Sequence, residues 1–294
     1  MLRSLSPRRV LLAAAALLWI AGANAAQAPL QLDVYNPGTD AVFPVSSVIV
    51  SGQRDAILVD AQFGKAQAEQ VAARLKAGGK HLTTIYISHG DPDYYFGLET
   101  LAEAFPEARI VATQPTVDHI RKTMDAKLAY WGPQMGADQP QRLIVPQVLA
   151  GDDLTLEGHE LQIVGLDGPQ PDRTFVWIPS IKAVVGGILV SENQHVWMAD
   201  TQGAKSHADW LKGLERIEAL KPGTVVPGHS LGKPSGSLEA VRFTADYIRA
   251  FDEESARAAD SAQLIAAMKK RYPGLADESS LELGAKVDKG EMKW

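Results

Sequence analysis

The segment Thr83–Phe105 constrains the fold of this chain more than any other. A strand, a turn rich in ligand-type side chains and a helix follow one another there without a gap. Thr84–Ile87 is a short run of β-branched and aromatic residues, which predicts a buried strand, and apolar residues recur at helical spacing in the second half of the segment. Between them stand His89, Asp91 and Asp93. Such side chains at the carboxyl end of a strand indicate an open α/β architecture with its chemistry at that edge.

Residue types alone leave two interpretations of this turn open. A tight turn can direct one imidazole and two carboxylates, those of His89, Asp91 and Asp93, at one metal ion. Alternatively, Asp91 followed by Pro92 is a helix N-cap and first-turn pattern, and Asp93 would interact favourably with the positive end of the helix. Tyr94 either lines a pocket or packs at the start of the helix.

The turn resembles the signature of the metallo-β-lactamase superfamily. That signature is His, any residue, His, any residue, Asp, His, two residues and Gly. His89, Asp93 and Gly97 occupy three of its positions, whereas Asp91 stands at the second His position and Tyr94 at the third.

Later segments extend the resemblance over most of the chain. Val225–His229 is similar to the family's late strand, which ends in Pro-Gly-His and supplies a last metal ligand, and Ala56–Asp60 is similar to its early strand that ends in Asp. Pro169 occupies the place of a further His ligand, and Ile188 the place of the carboxylate that bridges two metals.

The fold class implied by the resemblance is α/β, a metallo-β-lactamase-like αββα sandwich of two mixed sheets with helices on the outer faces. The domain would span residues 30–294, with a helical segment at about 238–272. The 294 residues, 46% of them hydrophobic, suffice for a sizeable core.

Two segments of the expected domain have no obvious helix or strand pattern. Tyr130–Gly136 combines aromatic residues with Gly and Pro, which predicts a loop over the site mouth or a subdomain linker; an ordinary connection with Tyr130 and Trp131 filling core space is the alternative. Gly284–Trp294 is interpreted as a polar tail without evident chemistry.

Because three family ligands are replaced, the resemblance implies a mononuclear rather than a binuclear metal site. The implied ligands are two imidazoles and one or two carboxylates: His89, His229, Asp93 and, as a fourth, Asp91. Zinc follows from the resemblance, the oxygen-rich set also admits iron or manganese, and a metal-free form stays open. The chain has no cysteine, which excludes zinc sites that depend on thiolate.

The predicted function is a metal-dependent hydrolase that acts on a small-molecule substrate, with Asp91 or Asp93 as base. A non-catalytic binding protein on the same fold and an iron-dependent oxidoreductase stay open as alternatives.

Two further acids are candidates for the pocket. Asp167 lies two residues before the position of the missing His, and Asp200 follows an apolar run that contains Trp197, which suggests a partly buried acid in need of a partner. The histidines in polar contexts are assigned no function: His81, His119, His159 and His207.

The first residues, Met1–Ala25, have the pattern of a secretory signal peptide. Arginines precede the apolar stretch Val10–Ala21, and Ala23–Ala25 resembles a cleavage site, which predicts a periplasmic or secreted protein. A twin-arginine signal and a retained anchor stay open as alternatives. Cleavage would remove three arginines and no acids, so the net charge would fall from -6 to -9. A domain this acidic is not expected to bind nucleic acid, or a membrane once the signal is removed.

Overall fold

The computed structural model describes residues 28–294, and the predicted signal peptide Met1–Ala25 lies outside them. The described chain forms a sheet of six strands in sequence order: β1 (Gln31–Tyr35), β2 (Ser47–Ser51), β3 (Asp55–Val59), β4 (His81–Ile87), β5 (Arg109–Ala112) and β6 (Gln147–Val148). The first two pairings are antiparallel, and those from β3 to β6 are parallel.

A second sheet of the described chain has five strands. In sequence order they are β7 (Asp153–Leu156), β8 (His159–Val164), β9 (Phe175–Ile178), β10 (Ala183–Val185) and, after the short strand β11 (Ser191–Glu192), β12 (Thr224–Val225). Their spatial order is β12-β10-β9-β8-β7, with only the β10–β12 pairing parallel. The strand β11 pairs in parallel with β13 (His229–Ser230).

Helices cover the outer face of each sheet. The first sheet carries α1 (Lys65–Gly78), α2 (Pro92–Tyr95), α3 (Leu98–Ala104) and α4 (Gln114–Met135). The second carries α5 (Ala204–Leu220), α6 (Leu238–Arg257), α7 (Ser261–Arg271) and α8 (Glu278–Asp288).

The inner faces of the two sheets form a continuous core. Val59, Tyr86 and Val111 of the first sheet pack in one cluster with Ile163 and Val176 of the second. Burial of apolar surface on both faces of each sheet stabilises the four layers. The predicted αββα sandwich of mixed sheets is therefore confirmed.

The predicted break at Tyr130–Gly136 is wrong, because α4 continues through it to Met135 with Pro133 inside the helix. Trp131 is buried and lies 5.0 Å from Phe43 and 5.9 Å from Phe63 between ring centroids. Pro133 removes one backbone hydrogen bond from the last turn of α4. This loss is small compared with the stabilisation gained by burying the Trp131 indole. Core packing thus extends the helix beyond its local pattern.

The interpretation of Gly284–Trp294 as a polar tail is also wrong. The helix α8 continues to Asp288, and Trp294 packs against Tyr130 and Trp197 at centroid distances of 5.6 and 5.3 Å. The segment returns to the edge of the molecule where the candidate site lies.

None of the helices within residues 28–294 has the length and hydropathy needed to cross a bilayer.

Candidate functional site

The floor of the site is a buried brace between two parallel strands. Asp60 follows β3 and Ser88 follows β4, and both the backbone N–H and the hydroxyl of Ser88 donate to the Asp60 carboxyl at 2.7–2.8 Å. The N–H of Gly187 donates to the Ser88 hydroxyl at 2.7 Å. Burial raises the pKa of Asp60 to about 7, although the hydrogen bonds from Ser88 act in the opposite direction. The brace fixes the turn that carries His89.

His89 and Asp91 form a buried hydrogen-bonded pair next to Ser88. The Nδ1 atom of His89 lies 3.0 Å from the carbonyl oxygen of Asp172, and its Nε2 atom lies 3.0 Å from Oδ2 of Asp91. Both oxygens are hydrogen-bond acceptors, so the two contacts fix the orientation of the ring through both of its nitrogens. Burial opposes the charge on Asp91, but His89, Lys127 and His119 outweigh it and hold the pKa of that carboxyl well below its usual range.

Asp93 and His229 form a second pair. His229 Nε2 donates to Oδ2 of Asp93 at 2.7 Å, and the hydroxyl of Tyr94 lies 3.3 Å from His229 Nδ1 and 3.4 Å from the carbonyl oxygen of Gly187. The Tyr94 ring lies between the two imidazoles, 5.3 Å from His89 and 5.6 Å from His229 between centroids. Burial and the charge of Asp93 raise the pKa of Tyr94 well above its ordinary value, so its hydroxyl stays protonated.

The helix α4 supplies His119, Lys127 and Trp131 to this region; the sequence indicated only Trp131, as part of a loop over the site mouth or of the core. His119, to which the sequence assigned no function, has its Nδ1 atom 3.0 Å from Oδ2 of Asp172. The Nζ atom of Lys127 lies 3.6 Å from Oδ1 of Asp91. The spacing of four and eight residues between the three was the available signal, since it places them on one helix face.

The surroundings of His119 and Lys127 favour the charged form of both side chains. Burial lowers the pKa of each group, but the carboxylates of Asp172 and Asp91 raise that of His119, and those of Asp91 and Asp200 raise that of Lys127, so that both pKa values lie above their ordinary values.

Asp200 is the predicted acid in need of a partner, and it has three. The indole N–H groups of Trp197 and Trp294 donate to its two oxygens, the latter at 2.7 Å, and Lys127 Nζ lies 3.7 Å from Oδ1. Desolvation and the charge of Asp91 raise the pKa of Asp200. Lys127 Nζ also lies 4.9 Å from the centroid of the Trp294 ring, within the range of a cation–π contact.

Asp167 does not reach the site. Its two carboxylate oxygens accept hydrogen bonds from Arg216 at 2.6 Å, in a separate cavity that Pro169 also lines. The candidacy of Asp167 for the site is therefore wrong, because its carboxylate faces Arg216 of α5 on the solvent-exposed side of the loop.

Comparison with known proteins identifies the family. The sequence profile of the metallo-beta-lactamase superfamily matches residues 40–229, which is more than half of the chain. The chain belongs to this superfamily. A metallo-beta-lactamase type 2 of Bacteroides fragilis is 26% identical over 223 residues, covering 73% of this chain and 79% of that protein.

Solved metallo-beta-lactamases share the fold of this superfamily member. The enzyme from Pontibacter korlensis superposes with a TM-score of 0.51 at 20% identity, covering 75% of this chain and 93% of that one. TMB-1 superposes with a TM-score of 0.53 at 18% identity, covering 76% and 98%. The order of motifs along the chain thus predicted the family correctly.

A single pocket, here called the site pocket, joins the two acid–imidazole pairs. Its polar lining includes Asp91, Asp93, Asp200, Lys127 and His229. Its wall is largely aromatic and is formed by Phe43, Trp131, Trp197, Trp210 and Trp294. A few polar groups in an apolar, concave wall are typical of a small-molecule site.

The superfamily generally binds divalent metals, but the donor set here does not fit a resident metal ion. The Nε2 atoms of His89 and His229 are each engaged by their own carboxylate, and Tyr94 lies between the rings. Nowhere in residues 28–294 do three or more His, Asp or Glu side chains converge as a metal would require. The four predicted ligands border one region without sharing one centre. The same holds for the two-imidazole, one-carboxylate set that iron would need.

Proposed function

We propose that this superfamily member is a hydrolase of a small-molecule substrate, with Asp93 as the general base that takes a proton from the attacking water. One observation carries the proposal: Oδ2 of Asp93 accepts from His229 at 2.7 Å, while Oδ1 has no hydrogen-bond partner among the described residues and Asp93 lines the site pocket. A carboxylate that is fixed through one oxygen and available through the other meets the geometric requirement for a base.

Asp91 is less suited to that role, although it borders the same pocket. Its pKa lies well below the ordinary range because His89, Lys127 and His119 stabilise its charge against the cost of burial. A carboxylate held in this way is a weak proton acceptor at neutral pH. We therefore assign Asp91 an electrostatic role and leave proton transfer to Asp93.

The substrate class that fits best is an uncharged carbonyl compound such as an ester or a lactone. The aromatic wall of Phe43, Trp131 and Trp197 suits an apolar group, and the carboxylates of Asp91 and Asp93 repel a phosphate dianion. The hydrolase-like fold of the superfamily supports the reaction type.

The test is a panel of chromogenic esters, lactones, a β-lactam and an aryl phosphate, assayed with the native chain, Asp93→Asn and Asp118→Asn. Asp118→Asn is the control: it makes the same chemical change on the exposed face of α4, where Gln114 is the one hydrogen-bond donor to the Asp118 carboxylate within residues 28–294. We expect hydrolysis of carbonyl substrates by the native chain and Asp118→Asn, and a loss of about 10²–10⁴-fold in kcat for Asp93→Asn. Unchanged turnover in Asp93→Asn would contradict the assignment.

A binding protein is the second candidate, favoured by the fact that both imidazoles already have hydrogen-bond partners at both nitrogens. It predicts no turnover of any panel compound, together with a rise of the melting temperature in the presence of a compound that fills the pocket. Asp93→Asn would then change the binding constant for that compound, with no hydrolysis rate to compare.

Export is a further part of the proposal. The supporting pattern is Met1–Ala25, with its arginines and its apolar stretch. Expression of the full chain and of a chain without these residues, followed by cell fractionation, tests it. We expect only the full chain outside the cytoplasm; equal distribution of the two would contradict export.

A further inference from the structure

The site pocket contains a cation that belongs to the protein itself. The side chain of Lys127 is 18% exposed, and its Nζ atom lies 3.6 Å from Oδ1 of Asp91 and 3.7 Å from Oδ1 of Asp200. Oδ1 of Asp91 is buried and has no hydrogen-bond partner in the described part of the chain, so its charge is compensated by Lys127 and, at 3.8 Å, by His119. An uncompensated buried carboxylate oxygen would be costly.

Trp294 and Asp200 hold this ammonium group in place. The indole N–H of Trp294 donates to Asp200 at 2.7 Å, and the face of the same ring lies 4.9 Å from Lys127 Nζ. Trp197 occupies the other oxygen of Asp200, so the carboxylate is fixed between two indoles. Lys127 is thus surrounded by two carboxylates and an aromatic face, the environment that a bound organic cation requires.

We propose that the ammonium group of Lys127 is the resident cation of the site pocket, in the role that a divalent metal has elsewhere in the superfamily, with Trp294 as its positioning residue. Asp91, which stands at a metal-ligand position of the family signature, faces Lys127 through one oxygen and Nε2 of His89 through the other. A divalent ion brought to Asp91 would meet the like charge of Lys127 on one side and would have to displace His89 on the other. The pocket then holds a fixed cation between two carboxylates without a metal.

The experiment is chemical replacement of the missing cation, which requires no catalytic turnover. Lys127→Ala removes a propylammonium group, so n-propylammonium is the matched probe and 1-propanol its uncharged control. We expect Lys127→Ala to melt roughly 5–10 °C below the native chain, because a buried carboxylate loses its partner. Propylammonium should restore part of that loss at concentrations where 1-propanol does not, and should leave the native chain unchanged. Equal effects of the two probes on Lys127→Ala would overturn the proposal.

Metal content supplies the second measurement, and it holds even if Lys127→Ala does not fold. The native chain and Lys127→Arg are incubated with zinc, iron(II) or manganese, desalted and analysed for metal. We expect substoichiometric metal in both, since each retains the cation. One tightly held metal per native chain, together with a higher melting temperature, would overturn the proposal. Lys127→Met, which keeps the aliphatic stem, should melt below Lys127→Arg; the reverse order would also overturn it.

Trp294→Phe tests the positioning role, because phenylalanine keeps an aromatic face but lacks the N–H that reaches Asp200. We expect Trp294→Phe to lower the melting temperature of the native chain but to have little additional effect in Lys127→Ala. Full additivity of the two changes would contradict a shared role, since independent sites add. Failure of the hydrolase assay affects none of these measurements.

Discussion

The Nε2 atom of His229 lies 2.7 Å from Oδ2 of Asp93, although 136 positions separate the two residues in the chain. Asp93 is the second residue of the short helix α2, which follows β4 of the first sheet, whereas His229 belongs to β13, which pairs with β11. The pair therefore joins the two halves of the sandwich at the edge where the site pocket opens.

Removal of either member of this pair should destabilise the fold. We expect Asp93→Asn and His229→Gln each to reduce the free energy of unfolding by about 1–3 kcal/mol, because a polar group with few other partners is left largely buried. The double variant should lose less than the sum of the two, with a coupling free energy of about 1–2 kcal/mol. Urea denaturation of the native chain, the two single variants and the double variant measures this coupling free energy. Additive losses would show that the hydrogen bond contributes nothing in solution.

Sequence patterns predicted this edge of the molecule where the information was local or carried by a motif. The strand before His89 and the helix start at Pro92 follow from β-branched residues and from the Asp-Pro step, and the Pro-Gly-His motif located His229. Lys127 and Trp294 were not predictable in this way. Their approach to Asp200 depends on how α4 and the end of the chain pack around Phe43 and Trp197, a long-range property that no short pattern encodes.

Gly97 should be essential for packing, because α3 begins against the backbone of the first sheet. A Cβ atom at Gly97 would lie 2.0 Å from the carbonyl oxygen of Ala61, a distance that the backbone must move to relieve. We expect Gly97→Ala to reduce the free energy of unfolding by about 3 kcal/mol. Gly78→Ala is the matched control: a Cβ atom there meets no neighbour within 4 Å, and alanine in α1 should add about 0.5 kcal/mol.

Denaturant midpoints of the two glycine variants provide the measurement. We expect the change in the free energy of unfolding to have opposite signs in the two variants. The added methyl group clashes with the backbone at Gly97 and meets open space at Gly78. A Gly97→Ala variant as stable as the native chain would mean that the turn after Asp93 is not packed against Ala61.

Asp60 should make the stability of the fold depend on pH in an unusual direction. Its pKa is raised from 3.8 to about 7, chiefly by burial, so the folded state holds this proton more tightly than the unfolded chain does. Below pH 4 the group is protonated in both states and has no effect. As the pH rises from about 4 to 7, the unfolded state loses the proton first, and the free energy of unfolding falls by an amount on the order of 4 kcal/mol.

Asp60→Asn isolates this contribution. Asparagine tolerates the left-handed backbone at this position, where φ is 68°. Its amide oxygen can accept the hydrogen bond that the backbone N–H of Ser88 donates. Carboxylates with lowered pKa values, such as Asp172 at about 2, change stability in the opposite direction but below pH 4. The difference in unfolding free energy between Asp60→Asn and the native chain should therefore grow from pH 4 to 7 in favour of the variant. Parallel profiles for the two proteins over this interval would show that Asp60 titrates as an ordinary surface carboxyl.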